Sequence, residues 1–190
     1  GVFRKIDEVV GAVIPEDAHH ARIALGLVED RPGKPVIRLT ARGEGVSMVR
    51  NFKRVGSKLV VANDYIQLGY DLRGRGLGTR MFTQQVKNLK RLGVDRIECL
   101  AVRDEGMNGY YTWARLGYDG KVPDSVRVLA RPGSERFTTV GQIMDSRGGA
   151  DWWKQYGDEF QGVFDLSDNS RSMRVLRDYL RKRGMEDLLK

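Results

Sequence analysis

Residues Tyr65 to Gly78 read YIQLGYDLRGRGLG and decide the fold. Aromatic and branched residues at the start of this stretch favour a β-strand, and three glycines at alternate positions follow them. After the glycines, apolar residues recur every three or four positions, at Phe82, Val86, Leu89 and Leu92. This period predicts a helix of three to four turns that ends at Gly93. The stretch is therefore predicted to be a strand, a glycine-rich turn and a helix.

The glycine-rich turn has the chemistry of a pyrophosphate site. Glycines let the backbone turn sharply and approach a ligand closely, and a helix start offers unpaired N–H groups and a positive dipole end. Arg73, Arg75 and Arg80 add positive charge that can meet phosphate. The glycine spacing fits neither a P-loop nor a dinucleotide fingerprint. The alternative is a tight turn that carries exposed arginines.

Further strands and helices are predicted on both sides of this turn. Upstream, an amphipathic helix is followed by an antiparallel meander; the segments are Val2–Ile14 (helix), Val36–Thr40, Gly45–Phe52 and Lys58–Tyr70. Downstream, a buried strand and a second helix are predicted at Val94–Val102 and Met107–Leu116. The last third is predicted to hold two strands, Val126–Ala130 and Gly162–Leu166, and helices at Thr138–Met144, Ala150–Tyr156 and Asn169–Arg183. Ser167 or Asp168 is the predicted N-cap of the last helix.

Two motifs in this arrangement resemble the GNAT superfamily of acyl-CoA-dependent N-acyltransferases. Arg73–Gly78 (RGRGLG) matches the family's R/Q-x-x-G-x-G/A pyrophosphate loop, and Trp113–Tyr118 (WARLGY) is similar to its Y-x-x-L-G-F signature. The resemblance covers roughly residues 36–118. It implies an α/β (α+β) fold with a mixed, mostly antiparallel sheet flanked by helices. Residues 1–130 would form the acyl-CoA-binding domain, and 131–190 a helical extension packed on it that returns a strand to the sheet.

The resemblance also implies a reaction and a set of site residues. Acetyl-CoA would be the cosubstrate, an unidentified amine would attack its thioester directly, and the pantetheine arm would lie where the sheet splays between Tyr65–Tyr70 and Val94–Val102. The implied cofactor-binding residues are Tyr70, Arg73, Gly74, Arg75, Gly76, Leu77, Gly78, Thr79 and Asn108.

The catalytic residues of the family carry over less directly. Trp113 stands where many members have the tyrosine that protonates the thiolate, and Gly106 stands where an asparagine is usual, with Asn108 two places later. Tyr111 is the predicted catalytic acid, with Tyr110 a packing residue. Asp64, Gln67 and Asp71 flank the strand where the family often places a glutamate base.

Composition sets the limits on other classes of protein. The chain has 190 residues, 41% hydrophobic and 31% charged, with a formal net charge of +8, a balance typical of a folded domain that binds an acidic partner. No apolar run approaches the roughly 20 residues of a membrane-spanning helix, so no membrane association is expected, and the predicted location is cytoplasmic. One cysteine, Cys99, excludes an intramolecular disulfide and is predicted to be a buried thiol. No metal site is expected at His19–His20, and a chain that begins at Gly1 is expected to be a piece of something longer.

Two other functions stay open on the sequence. A GNAT-fold domain that has lost catalysis would explain Trp113 and the displaced Asn108. A basic nucleic-acid-binding module, or a surface for a protein partner, would explain the cations of the last helix. Trp152–Trp153 could stack bases, although at least one of these two neighbours is predicted to be in the core.

Overall fold

The computed structural model describes residues 22–43, 45–129 and 137–190. Its strands are β1 (Arg22–Arg31), β2 (Lys34–Gly43), β3 (Val46–Val55), β4 (Lys58–Leu68), β5 (Arg96–Ala101), β6 (Arg103–Asp104), β7 (Met107–Asn108) and β8 (Phe160–Asp165). Its α-helices are α1 (Leu77–Arg91), α2 (Gly109–Leu116), α3 (Asp124–Arg127), α4 (Val140–Asp145), α5 (Gly149–Tyr156) and α6 (Arg171–Arg181), and short 3-10 helices cover Tyr70–Leu72 and Glu186–Leu189.

These elements form a mixed α/β structure. Six strands make one sheet in the order β1-β2-β3-β4-β5-β8, and β1 to β4 are paired antiparallel, whereas β6 and β7 form a separate hairpin. The predicted fold class, a mostly antiparallel sheet flanked by helices, is confirmed. The chain forms two compact units, one comprising the described residues up to Ile97 with Met185–Lys190, the other Glu98–Gly184.

The first unit is the meander with α1. Helix α1 presents one apolar face, with Met81, Phe82, Val86 and Leu89 at most 3% exposed. Asn63 of β4 and Gln85 of α1 exchange two buried amide hydrogen bonds, of 3.1 and 2.7 Å. Leaving either amide buried without its partner costs about 1–3 kcal/mol, so this pair fixes how α1 lies on β4.

The second unit contains β8 and the helices α2 to α6. Helix α6 docks its predicted apolar stripe, since Met173, Leu176 and Leu180 are at most 2% exposed. Trp153 is fully buried and its indole N–H donates to the Tyr110 carbonyl, which confirms that one tryptophan of the adjacent pair is in the core. Tyr110 is 8% exposed and its hydroxyl donates to the Lys154 carbonyl, so it is a packing residue as predicted.

Several predicted boundaries are wrong. Val126 lies in α3 and not in a strand, because Pro123, in extended conformation, begins a helical turn at Asp124. Helix α2 begins at Gly109 and not at Met107, because residues 107–108 pair with 103–104 in a hairpin.

The strand that leads into the glycine-rich turn also ends earlier than predicted, at Leu68 and not at Tyr70. Strand β1 was not predicted, although Ile23, Leu25 and Leu27 alternate along it. The predicted helix Val2–Ile14, the paired histidines and the predicted boundary between 130 and 131 lie outside the described residues.

The cap of α6 is Ser170, whose hydroxyl accepts from the Met173 N–H. Neither of the two predicted caps is available. Ser167 is bonded to the Asp165 carboxylate, and the Asp168 carbonyl and carboxylate accept from Arg177. The helix therefore starts two residues later than its sequence pattern predicts.

Candidate functional site: the glycine loop after β4

The glycine loop lies within the first unit, between β4 and α1. After β4 ends, Tyr70–Leu72 form a single 3-10 turn, and the chain then passes through Gly74 and Gly76, whose φ angles are +77° and +75°. Only glycine adopts such angles without strain. Gly76 is the N-cap of α1, so its left-handed conformation sets the direction in which the helix starts.

The loop is fixed by contacts that sequence reasoning missed. The Gly69 N–H donates to the Gly45 carbonyl at 2.7 Å, and a Cβ on Gly69 would lie 3.2 Å from the Gly45 Cα, so the end of β4 lies directly against the β2–β3 turn. Leu72 and Leu77 pack on one buried cluster, whose members are Leu39, Ala41, Val46, Met48 and Met81. Both sides of the loop are therefore anchored in the core while the glycines between them face outward.

The start of α1 can accept an anion. The N–H groups of Leu77, Gly78 and Thr79 precede the first intrahelical bond, which joins the Arg80 N–H to the Gly76 carbonyl at 3.0 Å. No side chain caps the helix, and its first turn carries no acidic residue. The positive dipole end of a helix of 15 residues is thus presented without a carboxylate of its own.

The three arginines of the loop differ in role. The Arg73 Nε donates to the Leu68 carbonyl at 2.9 Å, and its guanidinium lies 4.4 Å from the centroid of the Tyr70 ring. Arg73 therefore braces the loop, and it holds Tyr70, 82% exposed, beside the glycines. Arg75 and Arg80 are exposed and contribute positive charge at the same helix end.

The remaining predicted loop residues have distinct environments. Leu77 packs inward, so only its backbone faces the loop. A Cβ on Gly78 would be 3.6 Å from Leu68 Cδ1, an ordinary contact, so the fold alone tolerates a small side chain there. The Thr79 carbonyl accepts from the Thr83 hydroxyl within the helix. The structure thus brings together the predicted cofactor-binding residues from 70 to 79 in one loop.

A β-bulge interrupts β4 upstream of the loop. Val49 pairs with Tyr65 but Arg50 pairs with Asn63, so Asp64 is an extra residue in β4. A bulge leaves backbone groups out of the ladder and re-aims a side chain, and bulges are frequent beside active sites. The sequence of residues 58–68 gives no sign of this bulge, because apolar and polar residues occur both before and after Asp64.

Asp64 ends a polar relay across three strands. The Arg38 Nε donates to Asn51 Oδ1 at 2.9 Å, and the Asn51 amide donates to the Asp64 carboxylate. Partial burial raises the pKa of Asp64 above its ordinary value, and the charge of Arg38 only partly opposes this shift. A carboxylate with a raised pKa at a bulge is a suitable proton acceptor. The two other polar residues that flank this strand have local partners: Gln67 accepts from the Tyr65 hydroxyl, and Asp71 lies against Gly69.

The raised pKa of Asp64 predicts a pH-dependent effect of Asp64→Asn on stability. The folded protein disfavours ionisation of the Asp64 carboxyl, so the pKa of this group is higher in the folded state than in the unfolded state. The protonated carboxyl therefore contributes fully to stability below the unfolded pKa, and this contribution is lost as pH rises through the folded pKa. Asparagine does not ionise and still accepts from Asn51. The variant is therefore expected to gain stability relative to the parent from about pH 3 to about pH 7. Urea unfolding at both pH values measures this, and a difference that is constant or falls with pH would contradict it.

The second unit carries the other predicted site residues. Asn108 directly precedes α2, and its side-chain carbonyl accepts from the Thr112 hydroxyl at 2.9 Å. The Tyr111 ring contacts two cations, Arg115 and Lys154. Trp113 lies edge-on to the fully buried Tyr118, with ring centroids 5.3 Å apart, and is thus part of an aromatic cluster with Phe164.

A reactive cysteine, a metal centre and a membrane-spanning helix are other features that a chain can carry. Cys99 is 5% exposed and burial raises the pKa of its thiol, so it is the buried thiol that the sequence predicts and a poor nucleophile. Within residues 22–43, 45–129 and 137–190, no three His, Cys, Asp or Glu side chains come together in a way that could hold a metal ion. None of the helices described there has the length and apolar character to cross a bilayer.

Comparison with solved structures gives a distant likeness in fold. No family model matches the chain, and no curated protein matches it. Among solved structures, the chain is similar to the NatC complex bound to Gag peptide and CoA, with a TM-score of 0.39 and 13% sequence identity over 77% of this chain and 71% of that one. A TM-score this low supports no statement about function.

Proposed function

We propose that this chain is an acyl-CoA-dependent N-acyltransferase domain of the GNAT type, with acetyl-CoA as donor and an amine as acceptor. The observation that carries the proposal is the loop after β4. Two glycines in left-handed conformation lead into a helix without a side-chain cap, and arginines surround its start. Within the R-x-x-G-x-G sequence, Gly76 is the helix cap, and its φ of +75° favours a glycine there.

In this proposal the loop binds the pyrophosphate of CoA. Amides of Leu77, Gly78 and Thr79 would donate to the phosphate oxygens, while Arg75 and Arg80 neutralise their charge. Arg73 and Tyr70 would form one wall of the site, since the guanidinium already lies on the ring. The phosphates would bind to backbone atoms that the core fixes before the ligand arrives.

The reaction forms an N–C bond and breaks the C–S bond of the thioester. The amine nitrogen attacks the carbonyl carbon, the amine gives up a proton, and the CoA thiolate takes one. Asp64 is the proposed base, because burial raises its pKa and the bulge re-aims its side chain. Backbone N–H groups freed at the bulge would stabilise the developing oxyanion. The role of Tyr111 as the acid for the thiolate stays a prediction of the sequence.

The proposal predicts that acetyl-CoA and CoA stabilise the protein. A ligand at about 100 times its Kd adds about 2.7 kcal/mol, which raises Tm by roughly 5–10 °C in a chain of this length. Thermal unfolding with and without CoA measures this stabilisation. Pantetheine, which lacks the pyrophosphate, is the control ligand. An equal Tm with and without millimolar CoA would contradict the proposal.

A second candidate function is a domain that binds CoA but no longer transfers the acyl group. The packing of Trp113 into an aromatic cluster favours it, because an indole N–H cannot protonate a thiolate at that position. Incubation with acetyl-CoA and a panel of primary amines, followed by a thiol assay for free CoA, separates the two. Release of CoA above the uncatalysed rate supports the transferase, and binding without release supports the second candidate.

A further inference from the structure

Three cations and two tyrosines alternate along the surface of the second unit. The Arg115 guanidinium carbon lies 5.2 Å from the centroids of both Tyr111 and Tyr179. Lys154 Nζ lies 5.9 Å from the Tyr111 centroid, and the Arg183 guanidinium carbon 4.7 Å from that of Tyr179. We call this row, Lys154–Tyr111–Arg115–Tyr179–Arg183, the cation–tyrosine ladder.

The ladder is held by secondary structure on several sides. Tyr111 and Arg115 are one turn apart on α2, and Lys154 is on α5. Tyr179 is in the last turn of α6, and Arg183 follows the end of that helix. An Arg115 N–H donates to the Tyr179 hydroxyl at 3.3 Å, and the Tyr110 hydroxyl donates to the Lys154 carbonyl at 2.7 Å. These hydrogen bonds and the contacts with the tyrosine rings therefore position the cations before a ligand binds.

The charges of the ladder are not neutralised by carboxylates. In the described part of the chain, Arg115, Lys154 and Arg183 take part in no ion pair, whereas Arg127, Arg177 and Arg181 each contact an aspartate within 3.7 Å. The Arg115 Nε is buried and has no hydrogen-bond partner. A guanidinium that stacks by its face keeps N–H groups at its edge for an anion.

We propose that the cation–tyrosine ladder binds the phosphodiester backbone of a nucleic acid. A tyrosine ring separates each cation from the next, so one phosphate cannot contact all three, whereas a chain of phosphates can contact them in turn. Positively charged surfaces with interleaved aromatic rings are typical of such binding. All five ladder residues lie within the second unit.

An anionic membrane surface is the competing polyanion, and the structure disfavours it. Binding at a bilayer surface requires a helix that inserts an apolar face. The apolar stripe of α6 is buried in its own unit, with Leu176 and Leu180 fully buried. The helix has no second apolar stripe to offer.

The test compares two triple variants with the same change of net charge. One removes the ladder cations, Lys154→Gln, Arg115→Gln and Arg183→Gln; the matched control removes the ion-paired cations, Arg127→Gln, Arg177→Gln and Arg181→Gln. Affinity for a fluorescent oligonucleotide of about 20 nucleotides, single-stranded or duplex, is measured across a salt series. The ladder variant is expected to lose at least about tenfold in affinity, and its slope of log K against log salt should become shallower by about 2 for a single strand.

Two further variants distinguish loss of the binding site from loss of stability. The double variant Lys154→Gln with Arg183→Gln keeps Arg115 between the tyrosines, and it should lose about 1.4 of the slope even if the triple variant is less stable. Tyr179→Phe keeps the ring and removes only the hydroxyl that accepts from Arg115, so its loss of affinity should be smaller than that of the double variant. Equal losses in the ladder and control variants, no oligonucleotide binding at about 50 mM salt, or binding only to phosphatidylserine vesicles would each overturn the proposal.

Discussion

Gly76→Ala is expected to lower the affinity for CoA by at least about tenfold, whereas Gly74→Ala leaves it within about threefold. The two glycines are a matched pair for the fold. Their φ angles are +75° at Gly76 and +77° at Gly74. A Cβ added at Gly76 would contact only Met185 Cε, at 3.9 Å, and one added at Gly74 would have nothing within 4 Å. Each alanine should therefore cost about 1–2 kcal/mol of unfolding free energy.

The two glycines differ in their effect on the first N–H groups of α1. Gly76 is the cap of α1, and its left-handed angle sets where the first helical N–H groups point. An L-residue that relaxes away from this angle turns those amides away from the pyrophosphate. Isothermal titration of CoA into both variants measures the difference, with urea unfolding as the control for stability. Equal losses of CoA affinity in the two variants would mean that the loop is a turn and not a binding site.

Gly117→Ala is expected to destabilise the second unit by more than about 3 kcal/mol. Gly117 ends α2 with φ at +110°, and a Cβ there would lie 2.6 Å from the Ser172 carbonyl oxygen and 3.3 Å from the Phe164 ring. Alanine at position 117 would strain the backbone, and its Cβ would collide with the backbone at Ser172.

Gly184→Ala is the control for that prediction. Gly184 also follows a helix with φ at +63°, but nothing lies within 4 Å of an added Cβ. Its substitution should cost only the backbone strain, about 1–2 kcal/mol. Urea unfolding followed by tryptophan fluorescence compares the two, since Trp113, Trp152 and Trp153 all lie in the second unit. Similar losses for Gly117→Ala and Gly184→Ala would contradict the packing described around α2.

The sequence predicts the central part of the fold because its signals there are local. Glycines at 74, 76 and 93 take the left-handed angles that only glycine favours, and the apolar period from Met81 to Leu89 places α1 between them. Strand β1 carries an alternating pattern too, but Leu27 is 75% exposed, and Gly26 and Glu29 weaken its strand signal. Short apolar runs such as Val126–Leu129 suit a strand or a helix equally well, and here the preceding Pro123 decides for a helix.

The site is only partly predictable, since much of it depends on contacts between distant residues. The three glycines and the arginines are visible in the sequence. The contact of Gly69 with Gly45, the bulge at Asp64 and the relay from Arg38 through Asn51 each join residues on different strands. Only the pairing register brings them together, so no local pattern shows them.

Part of the positive charge that the sequence places on the last helix is neutralised by aspartates. The sequence assigns the unexplained cations to the last helix, but Arg171, Arg177 and Arg181 of that helix form ion pairs with aspartates. The cations without such partners include Arg115 and Lys154, which lie on two other helices. A folded surface, and not a run of basic residues, therefore defines the proposed nucleic-acid site.

Binding of the CoA pyrophosphate at the start of α1 is observed most directly through amide chemical shifts. Isotope-labelled protein is titrated with CoA and, in parallel, with pantetheine. We expect CoA to shift the amide resonances of Leu77, Gly78 and Thr79 in a saturable manner, and pantetheine to leave these three unchanged. CoA that binds without moving these amides, or that shifts none in the chain, would contradict it.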